Sequence, residues 1–235
     1  MLPLAILAGG YATRLGSLTA EIPKCLIEIN GRPFVDWQLE LLIRNGYSNF
    51  VFCLSYKSEA VQEYLGDGSS KGINIQYSLD GITQLGTGGA IQKALPKLGD
   101  TFGVIYGDSY LPTNFLAVEK DFLRSKSNAS MTVYKNKNYY DTSNVEFVNG
   151  KLITYEKGSN NRHMHHIDYG ITFFREAAFH PWADQSSFDL SEVCHRLATQ
   201  GQLLGFEVFE RFYEIGSVQG IEEFSQYLRE VSNEL

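Results

Sequence analysis

A short apolar strand, Leu4–Leu7, breaks into Gly9-Gly10, with Arg14 and then Pro23-Lys24 close behind. Glycines at the C-terminal edge of a buried strand let backbone approach a ligand that a side chain would block. An arginine and a lysine nearby supply charge-assisted bonds to phosphate oxygens. Two other phosphate loops fail on spacing. GxxxxGK[ST] is absent, and GxGxxG would need glycine where Tyr11 or Ala12 stands. A second candidate is Asp108, which closes the apolar run at 102–108. A carboxylate there is costly to desolvate unless it is paired or metal-bound.

Composition limits the partners. Twenty basic against 27 acidic residues, net charge −7, argues against a surface that wraps nucleic acid, though not against a local cationic pocket. The chain has 235 residues, 43% hydrophobic and 13% aromatic, enough for one large domain with a real core. Cys25, Cys53 and Cys194 are scattered and form no CxxC pair, so they read as reduced thiols. The N-terminal apolar stretch is too short for a signal peptide. No segment reaches the roughly 20 apolar residues of a membrane span. A soluble, cytoplasmic protein without membrane or nucleic-acid partners is expected.

The elements that must position these residues alternate in the first half. Strands are expected at Leu4–Leu7, 49–55, 73–79 and 102–108. Helices are expected between Pro33 and Gly46, over "KSEAVQEYLGDG" up to Gly66, and over "GAIQKAL" after a glycine-rich turn. This spacing indicates βαβ units and a mostly parallel, Rossmann-like sheet flanked by helices. Past residue 128 come short strands, "ASMTVY", "NVEFV", "KLITYE" and "GITFF", with "VNGK" as a hairpin turn. A helix stopped by Gly201, a strand "LLGFEVF" and a last helix around 218–231 follow. The expectation is one α/β domain over 1–235 with an antiparallel addition in its second half. Phe173, Phe174, Phe206 and Phe209 alternate at strand period and read as core.

The motifs resemble those of the sugar-1-phosphate nucleotidyltransferases. "LAGGYATRLGSLTAEIPKCL" looks like their signature, "LGTGGAI" (85–91) like their second glycine loop, and "YGDSY" (106–110) like their metal-binding Gly-Asp. "YEK" (155–157) is similar to their Glu-Lys. "HIDYGITFF" stands where they have Asn-x-Gly, and "YEIGSVQGIEEF" where they have Asp-Ile-Gly-Thr-Pro-Glu. The matches run in family order along nearly the whole chain. Length and spacing look most like the small bacterial enzymes acting on heptose 1-phosphate or N-acetylmuramate 1-phosphate.

The resemblance implies a nucleotidyltransferase fold of the GT-A-like type, with 1–128 as nucleotide half and 129–235 as sugar-phosphate half. It implies that NTP and sugar 1-phosphate give NDP-sugar and pyrophosphate, with Mg²⁺ as cofactor, and it leaves room for a homodimer. Leu7, Gly9, Gly10, Arg14, Lys24, Asp80, Gly86, Thr87 and Gly88 would bind nucleotide. Arg14 and Lys24 would hold the triphosphate, and Asp108 and Glu214 the metal, with Glu214 replacing the family aspartate. Lys157 would grip the sugar phosphate beside Glu156, Asp168 and Gly170, making Arg14, Lys24, Asp108 and Lys157 the catalytic set. A carboxylate at Asp80 suits the two N–H donors of guanine, so GTP is favoured, with UTP or CTP as alternatives. Asp168 replaces the common Asn and only accepts, which favours sugar hydroxyls over an acyl oxygen. "RHMHH" (162–166) lacks a zinc pattern and reads as a polar loop. A GT-A glycosyltransferase would normally carry Asp-x-Asp, which "GDSYL" lacks. A non-catalytic regulator would be expected to have lost the lysine or a metal carboxylate.

Overall fold

In the computed structural model, residues 1–9, 22–55, 57–81, 83–158 and 161–233 are described. Gly10 and Arg14 lie outside them. The first half forms β1 (Leu4–Leu7), the short pair β2 (Glu28–Ile29) and β3 (Arg32–Pro33), α1 (Phe34–Arg44), β4 (Asn49–Leu54), α2 (Ser58–Leu65), β5 (Asn74–Leu79), α3 (Gly86–Leu98) and β6 (Thr101–Tyr106). There follow β7 (Ser109–Tyr110), α4 (Phe115–Arg124), β8 (Ala129–Tyr134), β9 (Val145–Val148), β10 (Lys151–Tyr155) and β11 (Ile167–Arg175). The chain ends in α5 (Leu190–Thr199), β12 (Leu203–Val208), β13 (Tyr213–Glu214) and α6 (Val218–Asn233).

Seven strands make one sheet in the order β12-β8-β11-β6-β1-β4-β5. β1 pairs in parallel with β4 and β6, and β4 with β5, as the alternating pattern predicts. The antiparallel addition expected in the second half is present in β11 and in the β9–β10 pair, and it is accompanied by one further parallel strand. β12 runs parallel to β8, and only β11, antiparallel to β6 and β8, breaks the common direction. The physical reason is the crossover: α5 lies between β11 and β12 and lets the chain return in the shared sense. The antiparallel hairpin β9–β10 turns on Asn149 (φ 52°) and Gly150 (φ 75°), as "VNGK" indicates.

Strand alternation divides the core. Leu4, Ile6, Phe50, Phe52 and Ile105 face α1, α2 and α4, whereas Ala5, Val51, Cys53 and Val104 face α3 and α5. Covering both faces explains why Phe173 and Phe174 are both fully buried. Phe206 is half-buried, and Phe209 is 79% exposed. The core expectation for Phe209 is therefore wrong: β12 stops at Val208, and the next residue turns outward before the alternation can use it.

α3 begins at Gly86, so the expected glycine turn is its first turn. α4 was not anticipated, although Asn114 caps it by accepting from the Ala117 amide at 3.1 Å. α6 packs Phe224 and Leu228 against Phe34, Ile29 and Ile215, tying the C-terminal helix to the start of α1. None of the described helices is long and apolar enough to cross a membrane.

Candidate active site

Two cavities open at the C-terminal ends of β1 and β6. The first, about 430 Å³, is lined by Leu7, Gly9, Lys24, Asp80, Gly86, Thr87 and Asp108 among others. The second, about 720 Å³, is lined by Asp108, Lys157, Asp168, Gly170 and Glu214, with Tyr139, Tyr140 and Arg211 toward one side. Tyr106 and Asp108 line both, so the cavities meet at the turn that follows β6.

That turn is built by tight backbone approach. The Gly107 amide donates to Leu7 O at 2.9 Å, and a Cβ on Gly107 would stand 2.8 Å from that of Ala8. Gly9 is similarly close: a Cβ would lie 2.9 Å from Ser55 Oγ, whose hydroxyl donates to the Gly9 carbonyl. Lys24 opens a 3-10 turn, Lys24–Leu26, closed by the Leu26 amide on Pro23 O at 2.9 Å. Its ammonium reaches Asp108 Oδ2 at 2.6 Å, with the two side chains 21% and 33% exposed. Asp108 Oδ1 accepts from Ser109 Oγ at 3.3 Å. β7 pairs with β13 so that Ser109 faces Glu214, bringing Glu214 beside this turn. The Glu214 carboxylate folds into its own loop, accepting from the Gly216 amide and from Ser217 Oγ at 3.0 Å.

The second glycine loop has a structural cause that sequence could not show. A Cβ on Gly88 would lie 2.3 Å from the Phe188 ring, and one on Gly86 2.5 Å from Phe188 O. Segment 186–190 is bonded across it: the Gly88 amide donates to Phe188 O at 3.0 Å and the Leu190 amide to Thr87 Oγ1 at 2.8 Å. Gly86 and Thr87 line the first cavity, whereas Gly88 is buried beneath Phe188. Asp80 holds the Leu85 amide at 3.4 Å. Burial pushes its carboxyl above the usual range, against the pull of that amide and of Lys93.

In the second cavity, Lys157 is exposed and reaches Asp189 Oδ2 at 3.3 Å. Asp189 lines the first cavity and caps α5 in a reciprocal Asp189–Glu192 box, which "DLSE" announces. Burial raises the Asp189 carboxyl, but the Ser191 bonds, followed by Lys157, outweigh it and hold the group below its ordinary value. Asp168 accepts from the Gly170 amide at 2.9 Å, and Gly170 (φ 112°) needs its glycine backbone. Glu156 is exposed and lines neither cavity. His163 and His165 are exposed, and the buried His166 pairs with Glu207 at 3.1 Å. Among the described residues no three His, Cys, Asp or Glu side chains converge as a metal cluster. Cys25 and Cys53 border the first cavity as buried free thiols, each raised to about 12 by desolvation above all, which excludes thiolate chemistry near neutral pH.

Burial pushes the Asp168 carboxyl up to about 6, with Gly170 and Lys157 pulling it back. Its folded pKa exceeds the ordinary 3.8, so its ionisation costs stability that falls away as pH rises from about 4 through 6. Asp168→Asn, which retains the Oδ1 acceptor, is expected to raise the melting temperature at pH 7.5 and to lose that advantage near pH 4. Melting curves across pH check this. A variant less stable than wild type at pH 7.5 would overturn the assignment of strain to this carboxylate.

The geometry gathers Lys24, Asp108, Glu214, Asp168 and Lys157 around two cavities that share a wall. Comparison with known proteins identifies the family. The family model described as "Nucleotidyl transferase" matches residues 4–231. A D-glycero-alpha-D-manno-heptose 1-phosphate guanylyltransferase of Campylobacter jejuni is 30% identical over 187 residues, 80% of this chain and 82% of that protein. An N-acetylmuramate alpha-1-phosphate uridylyltransferase of Neisseria meningitidis is 37% identical over 113 residues, 48% and 49% of the two chains. Among solved structures, HddC from Yersinia pseudotuberculosis, complexed with GMP-PN, superposes with a TM-score of 0.78 at 22% identity, covering 97% of this chain and all of that one. The inositol-1-phosphate CTP transferase from T. maritima gives 0.80 at 19% identity, covering 96% and 94%. With the fold shared and the family model spanning nearly its whole length, the chain belongs to the nucleotidyl transferase family, among its sugar-1-phosphate nucleotidyltransferases.

Proposed function

We propose that the first cavity takes the NTP and the second the sugar 1-phosphate, with the α-phosphorus held near Asp108. The observation that carries this is the shared wall: Asp108 borders both cavities, with Lys24 on the nucleotide side and Lys157 on the other. An acceptor phosphate oxygen attacks the α-phosphorus in line, its P–O bond forming as the bond to pyrophosphate breaks. Lys24, with Arg14 from outside the described residues, neutralises the departing pyrophosphate. Lys157, released from Asp189, orients the attacking phosphate. Asp168 accepts from sugar hydroxyls.

The donor set at the turn fits a hard divalent cation. Asp108, in the turn before β7, and Glu214, on the paired strand β13, offer carboxylate oxygens, and Mg²⁺ is commonly held by one or two carboxylates plus substrate phosphates. Asp108 and Glu214 would hold it, Glu214 giving up its bonds to Gly216 and Ser217. Once bound, Mg²⁺ supplies charge neutralisation at the phosphates. In free protein, Lys24 supplies the positive charge that Asp108 faces.

For the base, GTP is the favoured substrate and a heptose 1-phosphate the favoured acceptor. Asp80 at the first cavity and the likeness to the Campylobacter jejuni enzyme support this reading. UTP is the second reading, favoured by the likeness to the Neisseria meningitidis enzyme. The test is pyrophosphate release over a matrix of NTPs and sugar 1-phosphates. GTP with a heptose 1-phosphate should give the highest kcat/KM, and Asp80→Ala should narrow the preference for GTP by roughly tenfold, the worth of a charged hydrogen bond. An unchanged NTP ranking would show that Asp80 does not read the base.

A further inference from the structure

Gln38 sits in the first half of α1 and is 1% exposed. Its side-chain amide spans to the turn after β6, where Nε2 donates to Tyr106 O at 2.8 Å and to Ser109 O at 2.7 Å. These two carbonyls bracket Gly107-Asp108. Donation to two carbonyls fixes the amide's orientation, because the flipped form would set Oε1 against both oxygens. Oε1 is buried and accepts no hydrogen bond from the described residues. A buried acceptor without a donor is a cost, and a side chain selected for stability alone would avoid it.

The other backbone groups of the turn are tied elsewhere. The Gly107 amide bonds Leu7 O at the end of β1, and the Ile215 amide bonds Asp108 O at 3.0 Å, just past β13. Each residue from 106 to 109 thus has a backbone group held from outside the turn, and the Gln38 amide reaches two of the four, Tyr106 and Ser109, which the β1–β6 and β7–β13 pairings also hold. We infer that Gln38 is the positioning residue for Asp108: its amide clamps both ends of the turn, so that the carboxylate stands where the cavities meet. Without the clamp the fold remains, but the turn can drift, and displacements near an ångström are enough to slow a reaction that depends on alignment.

This inference rests on the reading of Asp108 as a phosphate and metal ligand, and the test separates the two. Gln38→Met keeps the side chain's length and removes both donors. It is expected to lower kcat about 10- to 100-fold while the KM values for NTP and acceptor stay within about threefold. The control is Leu42→Ala, a fully buried apolar residue of the same helix that has no hydrogen-bonding side chain to offer the turn. It should lower the melting temperature without moving kcat in the folded protein by more than about threefold. Calorimetric NTP titration, with Mg²⁺ and then with excess chelator, gives a second readout. The affinity gained from Mg²⁺ should shrink in Gln38→Met and stay unchanged in Leu42→Ala. If Gln38→Met does not fold, Gln38→Glu replaces it. Its activity relative to wild type should rise as pH falls, because a protonated carboxyl restores one donor. Wild-type kcat and Mg²⁺ gain in a folded Gln38→Met, or an effect matched by Leu42→Ala, overturns the inference. So does a Gln38→Glu ratio that ignores pH. If instead Asp108→Asn is fully active, the reading of Asp108 fails first.

Discussion

Asp108→Asn should lower turnover by a factor on the order of 10² or more and leave the fold intact. Asparagine keeps the size of the side chain, and the backbone ties of the turn do not involve the carboxylate: Ile215 N to Asp108 O and Gln38 to the flanking carbonyls persist. What disappears is the negative charge that Lys24 meets at 2.6 Å, and with it one of the two carboxylates proposed to hold the metal. The measurement is steady-state pyrophosphate release, with circular dichroism to confirm folding. Excess chelator should abolish wild-type activity, and Mg²⁺ should restore it. A variant within a few-fold of wild type, or a wild type indifferent to chelator, refutes the placement of the metal at Asp108.

Lys157→Ala and Lys24→Ala are expected to fail in opposite ways. Lys157 borders the second cavity and not the first, and among the described residues its ammonium pairs with the half-buried carboxylate of Asp189, so its loss should weaken acceptor handling. A charge-assisted bond worth about 1.5–3 kcal/mol corresponds to a rise in acceptor KM, together with lower turnover, of about 10- to 100-fold. NTP binding measured without acceptor should change by no more than the roughly 1 kcal/mol of screened, distant charge. Lys24 borders the first cavity, so Lys24→Ala should weaken NTP binding and slow pyrophosphate departure, with acceptor KM less disturbed. Calorimetric NTP titration of both variants, beside kinetics on each substrate, distinguishes the ends. Loss of NTP binding in Lys157→Ala with a normal acceptor KM would reverse the assignment.

What could be read from sequence was what local pattern encodes. β1, β4 and β6 carry largely apolar runs and β5 an alternating one, α1 lies between Pro33 and Gly46, and Asn149-Gly150 makes its hairpin because two positive φ angles are needed there. α4 has a legible signal, Phe115, Val118 and Phe122 at helical spacing behind the Asn114 cap. The parallel pairing of β8 with β12 was not legible, because no local feature says which strand, some seventy residues on, will lie alongside. Phe209 misled for the same reason: alternation is visible, but the point at which a strand loses its partner is not.

The site divides similarly. Lys24, Asp108, Asp168, Gly170, Lys157 and Glu214, each singled out by a sequence motif, border the two cavities. Glu156 does not, since it faces solvent just beyond β10. Gln38 looks in sequence like the polar face of a helix, and only tertiary contact shows it buried against the Asp108 turn. Asp189 announces itself as a helix cap, but its link to Lys157 depends on chain brought together from 32 positions away.

The close fit of the 186–190 segment over the second glycine loop restricts how this enzyme could be retargeted. Side chains cannot be introduced at Gly86, Gly88 or Gly89 to reshape the first cavity, because each would collide with Phe188 or Ser186 before reaching it. Mutational freedom at that end lies instead on the outward strip of Asp80, Thr83 and Gln84, which is half-buried or exposed. A directed search for altered nucleotide choice should therefore randomise that strip and hold the glycines and Phe188 fixed; libraries that vary the glycines will be dominated by clones that do not fold.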